Sequence, residues 1–281
     1  MKIVALVENQ GDKPLKSEHG LAVYIEYRNK RYLLDAGSST LFLENAKHLK
    51  VDLSRIDAGI LSHAHYDHSG GYAGFFEVNQ RAPIYIRDQA KEPTYTKFGW
   101  IKKYIGIPQM ILKQYSNRFT YIEGDYKLDE GVWLIPHKTS DLALRGKKMH
   151  MARKVAGKFV DDDFAHEQSL VFECRNGLVI FNSCSHGGVD NILEEIKCTF
   201  PGKKLLAMIG GFHLMGVGGV KTMAARPEEI RDLASRIQAS GVKEIYTGHC
   251  TGEPAFKILK EELGEQIGYF STGTILEYEE E

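Results

Sequence analysis

The chain opens on an apolar run, Lys2-Ile-Val-Ala-Leu-Val7, broken by Glu8; it reads as a first strand and is too short for a signal-peptide core or a membrane span. Apolar stretches at 21–27 and 31–35 flank Arg28-Asn-Lys30, a hairpin pattern, and Asp35-Ala-Gly-Ser-Ser39 ends the second stretch. Residues 40–49 place Leu41, Phe42, Ala46 and Leu49 on one helical face. Ala58-Gly-Ile-Leu61 and Pro83-Ile-Tyr-Ile86 follow as strands, then a long aromatic-rich segment over 92–121 with Trp100, Tyr104 and Tyr115. The second half repeats this order. Strand patterns at 169–174 and 178–181 flank Arg175-Asn-Gly177, a helix covers 192–196, and Leu205-Leu-Ala-Met-Ile209 is a buried-strand run. Pro227 opens a helix whose Ile230, Leu233, Ala234 and Ile237 share one stripe, and Gly241 closes it. Val242-Lys-Glu-Ile-Tyr246 reads as a strand, Pro254 to Gly264 as a helix, and 268–276 as one closing strand. Strands then helices, twice over, predict an α/β (α+β) molecule: two mixed sheets face to face with helices outside, an αββα sandwich, as a single domain over 1–281.

At 281 residues, 43% hydrophobic and 26% charged, the chain has the composition of a soluble globular protein with a sizeable core. Lys+Arg 36 against Asp+Glu 37 leaves a net charge of -1, so no global field recruits nucleic acid or an anionic membrane. The expected partner is a small anionic substrate. One local bias supports that: between 138 and 158, Lys138, Arg145, Lys147, Lys148, Arg153, Lys154 and Lys158 meet one acid, Asp141. This stretch reads either as a clamp for phosphate or another anion, or as a solvated, mobile loop neutralised by the Asp161-Asp-Asp163 that follows. Insertions near 89–121 and 138–165 are expected to cover a pocket, although aromatics at helical spacing also serve as plain core. Four cysteines, Cys174, Cys184, Cys198 and Cys250, are too few and scattered for a disulfide scaffold, which points to a reducing cytoplasm.

The strongest chemical signal is Ile60-Leu-Ser-His-Ala-His-Tyr-Asp-His-Ser-Gly-Gly71. As the strand ends, alternation points His63 and His65 the same way, and the turn into a helix aims Asp67 and His68 back toward a neighbouring point. One stretch then offers ligands to two metals. A single histidine among the 11 is more often packed or at the surface, but here ligand types, spacing and strand-to-loop setting agree. Imidazole with one carboxylate favours Zn²⁺ or iron over Mg²⁺ or Ca²⁺, so one or two Zn ions are expected, with Fe or Mn as alternatives. Downstream, His186 in Ser-His-Gly-Gly and His249 in Gly-His-Cys-Thr-Gly each follow an apolar strand and precede Gly-rich turn chemistry.

The HxHxDH motif resembles that of the metallo-β-lactamase superfamily at every position, and the likeness runs over nearly the whole chain. It implies the metallo-β-lactamase fold, with metals in a cleft at one edge between the sheets. It further implies that His63, His65 and His186 form a tri-histidine site, that Asp67, His68 and His249 form its partner, and that Asp35 lies buried beneath them and orients ligands. Read alone, Asp35 is an ordinary turn or helix-start residue. Cys184 and Cys250 read as small buried neighbours of the ligands, with strand alternation turning Cys250 away from the metal side. There is one departure. Many two-metal members carry a bridging aspartate at the end of the strand corresponding to 205–211, where this chain has Gly210-Gly-Phe-His213. Either His213 substitutes, or the second metal is held more weakly, or only hydroxide bridges, and the metal count stays open. Glu18-His-Gly-Leu21, Glu167-Gln-Ser-Leu170, Cys184-Ser-His186, Gly-Gly-Phe-His213 and Thr-Gly-His-Cys-Thr-Gly252 are similar to the branch containing the archaeal enzyme that couples a dihydropterin diphosphate to ribofuranosylaminobenzene 5'-phosphate. Many members of unknown substrate share them.

The resemblance implies a metal-dependent hydrolase that uses a metal-activated hydroxide on a small, phosphate-containing substrate. Asp67 would take up the proton; His213 would donate to the leaving group or bind the substrate anion, and His19 is a second substrate-binding candidate. The alternative is a transferase joining a pterin diphosphate to an aryl ribotide-like acceptor at the same site. A di-iron redox protein is less expected, because flavodiiron proteins usually place a glutamate where His65 stands. A non-catalytic sensor is less expected still, because idle sites tend to lose ligands.

Overall fold

Strand β1 (Lys2–Val7) pairs antiparallel with β2 (Ala22–Tyr27), and β2 with β3 (Lys30–Leu34), in the computed structural model of the chain, which describes residues 1–216 and 219–280. Arg28 and Asn29 both take the left-handed conformation, with φ of 45° and 63°, so the hairpin closes through a two-residue turn whose twist matches that of its strands. Helix α1 (Leu41–His48) buries Phe42, Asn45 and Ala46 and returns the chain so that β4 (Ala58–Ile60) lies parallel to β3. The one-turn helix α2 (Tyr66–Ser69) and helix α3 (Tyr72–Val78) then lead into β5 (Ile84–Arg87), parallel to β4.

A hairpin of β6 (Thr94–Phe98) and β7 (Ile101–Tyr104) follows, then α4 (Gln109–Gln114) and β8 (Phe119–Ile122), which pairs with β5. The chain next crosses to a second sheet through β9 (Tyr126–Asp129) and β10 (Val132–Pro136). Helix α5 (Leu142–Lys148) and strands β11 (Met151–Val155) and β12 (Lys158–Asp161) complete a four-stranded sheet ordered β12-β11-β6-β7. The basic 138–158 stretch is therefore not a mobile loop. Of its cations, Arg153 bridges Glu92 and Asp163, Lys138 meets Asp125 at 2.8 Å, and Lys148 meets Glu229 at 3.8 Å. Of the acid run behind it, Asp163 serves Arg153, Asp161 pairs with Lys97 and Asp162 faces His166. Strands β7 and β12 carry side chains exposed on both faces, which removes the alternation by which a strand is recognised in sequence.

The second half repeats the first. Strands β13 (Gln168–Cys174) and β14 (Gly177–Phe181) form a hairpin, and α6 (Val189–Thr199) carries the chain to β15 (Leu205–Ile209), parallel to β14. Helix α7 (Pro227–Ser240), strand β16 (Glu244–Thr247), helix α8 (Glu253–Leu263) and strand β17 (Ile267–Tyr269) add two more parallel strands. The closing strand expected over 268–276 is two strands. After β17 the chain changes sheets, and β18 (Ile275–Glu277) pairs antiparallel with β1. Thr272 holds the crossing, its Oγ1 accepting from Glu8 N at 2.8 Å. A strand that swaps sheets keeps its apolar side chains inward, so hydrophobic pattern alone cannot reveal the break.

The two seven-stranded sheets run β18-β1-β2-β3-β4-β5-β8 and β17-β16-β15-β14-β13-β10-β9. Between them lie Ile3, Val23, Ile25 and Ile60 of the first and Leu170, Phe172, Val179, Phe181 and Ile209 of the second. Phe42, Tyr72, Phe75 and Phe76 of α1 and α3 cover one outer face, and buried stripes of α6, α7 and α8 cover the other. This is the αββα sandwich. Among the described residues no helix is long and apolar enough to cross a membrane.

The ends of β14 and β15 are pinched together at Gly210, whose φ is 139° and where a Cβ would lie 1.9 Å from Asn182 O. Gly210→Ala is expected to destabilise the fold by about 3 kcal/mol, since both the backbone region and the space are closed to a side chain. Chemical denaturation with an unchanged midpoint would contradict this packing.

Candidate metal centre

Strands β1, β3, β4, β10, β14, β15 and β16 end in Glu8-Asn9, Asp35, the 63–68 motif, His137, Cys184-Ser-His186, His213 and His249 respectively. Strand ends thus deliver the polar residues, while the strands themselves are apolar. His63 and His65 share a face as alternation requires, with ring centroids 4.5 Å apart, and α2 turns Asp67 and His68 back beside them. All six residues proposed from sequence as ligands are buried and converge. The ligand atoms of His63, His65 and His186 lie within 4.8 Å of one another, and so do those of His19, Asp67 and His249. His68 Nε2 lies 3.1 Å from His249 Nε2, and Asp67 Oδ2 lies 3.7 and 3.5 Å from these two atoms. Two nitrogens at ~2.0–2.1 Å from a tetrahedral Zn²⁺ sit about 3.3 Å apart, so this triangle has the dimensions of a coordination face.

Imidazole orientation follows from what each Nδ1 touches. Asp35 is fully buried and accepts from Ser62 N, Ser62 Oγ, Ser183 Oγ and His68 Nδ1 at 2.7, 2.8, 2.6 and 2.7 Å. Because the Ser62 hydroxyl gives its proton to Asp35, its oxygen accepts from His63 Nδ1 at 2.8 Å. His186 Nδ1 donates to Glu167, and His249 Nδ1 donates to Asn9 Oδ1 at 3.0 Å. Each ring is left with its Nε2 lone pair aimed inward. The Nε2 atoms of His63, His65 and His186 are buried without a hydrogen-bond partner among the described residues. A buried lone pair with no donor is costly unless something outside the chain meets it, and neutral imidazole with carboxylate is a donor set suited to Zn²⁺.

Ionisation agrees. Burial, reinforced by the surrounding histidines, holds His63 and His65 well below the ordinary imidazole range, and burial outweighs Glu167 at His186. At His68 burial is outweighed by the Asp35 and Asp67 carboxylates, which raise it. Burial alone would raise Asp67, but His68, His19 and His249 hold it well below the carboxylate range. The carboxylate is therefore ionised while the tri-histidine group is neutral, which is the state a cation requires.

His213 and His19 stand at the rim. The His213 ring lies 4.5 Å from that of His186, and His19 stacks on His249 at 5.0 Å with its Nε2 3.2 Å from Asp67 Oδ2. Cys184 and Cys250 are buried, as expected, but both face the site: Cys184 Sγ is 3.3 Å from His68 Nε2, and Cys250 Sγ is 3.3 Å from Cys184 Sγ. The alternation argument fails for Cys250 because His249–Thr251 is a helical turn, entered through His249 at φ 48°. A cavity of about 180 Å³ at the ligands shares His213 and Met215 with two larger ones of about 550 and 570 Å³. Thr96, Phe98, Met149 and Met151 line the cavity of about 550 Å³, and Arg145, whose Nε donates to His186 O at 2.9 Å, lines that of about 570 Å³.

Sequence reasoning gave Glu167 no role and did not single out His137, Glu195 or Asn9. His137 sits between two buried carboxylates, donating to Glu167 Oε1 at 2.8 Å and Glu195 Oε2 at 3.1 Å. The Glu167 signal was present in the Glu167-Gln-Ser-Leu170 motif; His137 and Asn9 carry no local pattern.

A model of the metallo-beta-lactamase superfamily matches residues 17–152. An uncharacterised protein of Methanocaldococcus jannaschii is 30% identical over 224 residues, 76% of this chain and 80% of that protein. The chain belongs to the metallo-beta-lactamase superfamily. A second protein of that organism, 7,8-dihydropterin-6-methyl-4-(beta-D-ribofuranosyl)-aminobenzene-5'-phosphate synthase, is 28% identical over 99% of this chain and 97% of its own length. A crystal structure of a metal-dependent hydrolase of the superfamily superposes with a TM-score of 0.83 at 29% identity, covering 100% of both chains.

Glu167→Gln is expected to lower Zn²⁺ affinity by roughly 10- to 100-fold, measured by chelator competition, because the acceptor that fixes the His186 ring is weakened. Unchanged affinity would contradict the orienting role. A second test is stability against pH in metal-free protein. Burial opposes the charge of His137, but Glu167 and Glu195 raise it from 6.5 to about 9. A raised pKa adds stability in full below the unfolded value and loses it as pH rises through the folded one. Thermal stability is therefore expected to decline between pH 6.5 and about 9, and the decline should flatten in His137→Gln.

Proposed function

We propose that the protein is a metal-dependent hydrolase of a small, anionic, phosphate-containing substrate, with Zn²⁺ as the resident ion. The observation that carries this reading is the convergence of three buried imidazole nitrogens, without hydrogen-bond partners among the described residues, with the Asp67, His68 and His249 triangle beside a cavity. A divalent ion held there supplies a water acidified from roughly 15.7 to about 7 and a Lewis acid for a phosphoryl oxygen. His63, His65 and His186 would hold one ion, and Asp67, His68 and His249 a second. Asp67, ionised and bonded by His19, accepts the proton released by the attacking water. His213, at the rim with a buried Nδ1 that lacks a partner among the described residues, donates to the leaving oxygen or holds the substrate anion. Arg145 offers a guanidinium to a phosphate lying along the connected cavity.

A second reading is supported by the synthase relative aligned over nearly the whole chain. The same residues then serve a transferase, with diphosphate leaving as a carbon nucleophile attacks, and the Met- and Phe-lined cavity holds the second reactant.

The experiment incubates Zn²⁺- and Mn²⁺-loaded protein with phosphoester, thioester and lactone substrates, and separately with a pterin diphosphate plus an aryl ribotide, reading products by mass spectrometry. Phosphoester hydrolysis is the expected result; coupled product would establish the transferase, and neither would overturn both. Asp67→Ala is expected to cost roughly 10²- to 10⁴-fold in turnover with an unchanged circular dichroism spectrum. Retained turnover would remove Asp67 from the mechanism.

A further inference from the structure

Strand β15 ends in Gly210-Gly211, so no carboxylate extends from it between the two ligand groups. Sulfur occupies that space instead. A Cβ on Gly211 would lie 2.4 Å from Cys250 Sγ. Cys250 is itself fixed, accepting from His213 N at 3.3 Å, and its Sγ donates to Cys184 Sγ at 3.3 Å. Cys184 Sγ in turn lies 3.3 Å from His68 Nε2, the separation of two atoms sharing a coordination sphere. The ligand atoms of His63, His68 and Cys184 fall within 4.8 Å of one another. His63 belongs to one ligand group and His68 to the other, so the Cys184 sulfur is close to both. Both cysteines line the cavity at the ligands. Packing as small apolar residues accounts for their burial. It does not account for sulfurs set against an imidazole nitrogen, a backbone amide and each other.

We propose that the Cys184 thiolate is a metal ligand within reach of both histidine groups, with Cys250, whose sulfur fills the space beside Gly211, as its hydrogen-bonding partner. This rests on the metal-centre reading above. Thiolate is a softer donor than carboxylate, so it biases the site toward Zn²⁺ and away from Mn²⁺. Cys250, 3.3 Å from the Cys184 sulfur, holds it in place.

Cobalt substitution tests this with a readout independent of turnover. The metal-free protein is loaded with Co²⁺ and its absorption spectrum recorded. Visible ligand-field bands report that the histidine groups hold an ion; a thiolate-to-cobalt charge-transfer band in the near ultraviolet reports sulfur ligation. Wild type is expected to show both, Cys184→Ser to keep the ligand-field bands and lose the charge-transfer band, and Cys250→Ser to keep both. Ligand-field bands without a charge-transfer band in wild type would overturn the thiolate ligand alone. The same holds for a charge-transfer band that survives Cys184→Ser. Absence of ligand-field bands would overturn the metal centre and the thiolate ligand with it. Zinc-edge X-ray absorption of wild-type protein needs no substitution: a sulfur shell at ~2.3 Å beside nitrogen at ~2.0 Å is expected, and nitrogen and oxygen alone would overturn the proposal.

Discussion

A carboxylate taken out of water costs several kcal/mol unless hydrogen-bond donors replace the solvent, and Asp35 finds its donors in both halves of the molecule. Ser62 and His68 come from the loop after β4, and Ser183 from the end of β14 in the other sheet. The chain accepts a left-handed Asp35, with φ of 60°, to bring that carboxylate under the centre. Remove it and the His68 ring, the Ser62 hydroxyl and the Ser183 hydroxyl lose a shared acceptor at once. One buried carboxyl group therefore ties the two sheet edges together and sets the orientation of the His68 and His63 rings.

The same logic extends outward. Asp35 fixes His68 directly and His63 through Ser62; Glu167 fixes His186; Asn9 fixes His249. Each partner fixes its ring with Nε2 facing one region. At His63, His65 and His186 burial supplies the rest, since a desolvated imidazole resists protonation and stays available to a cation. Glu167 is itself buried and held ionised by His186 and His137, so the supporting layer is a network of paired charges that reaches Glu195 on α6. Above this floor, the four-stranded sheet, the end of α5 and the β15–α7 connection supply Phe98, Met151, Met149 and Met215, an adaptable apolar wall around the ligand residues. That combination suits a substrate with a polar reacting group and an apolar body.

What sequence alone reveals depends on how local the cause is. The 63–68 motif is legible because four polar residues fall on one short stretch whose strand-to-helix geometry dictates their directions. The two hairpins, the α7 stripe and its Pro227 and Gly241 ends are legible for the same reason. Asn9 and His249 are 240 residues apart, and no spacing rule connects them. His137 gains its meaning from Glu167 and Glu195, which arrive through separate elements. Cys250 was misplaced because strand alternation was carried past the strand's end into a helical turn. Strands β7 and β12 of the small sheet were missed because they are exposed on both faces, where nothing selects for apolar periodicity.

The central claim is that side chains from three separated stretches of chain surround divalent ions in one cleft. Crystals grown with Zn²⁺, measured above and below the zinc absorption edge, test it most directly. An anomalous peak is expected ~2.0–2.1 Å from Nε2 of His63, His65 and His186, and a second at Asp67, His68 and His249 at full loading. Zinc found only at surface positions, with His186 or His249 turned away from the 63–68 loop, would contradict it.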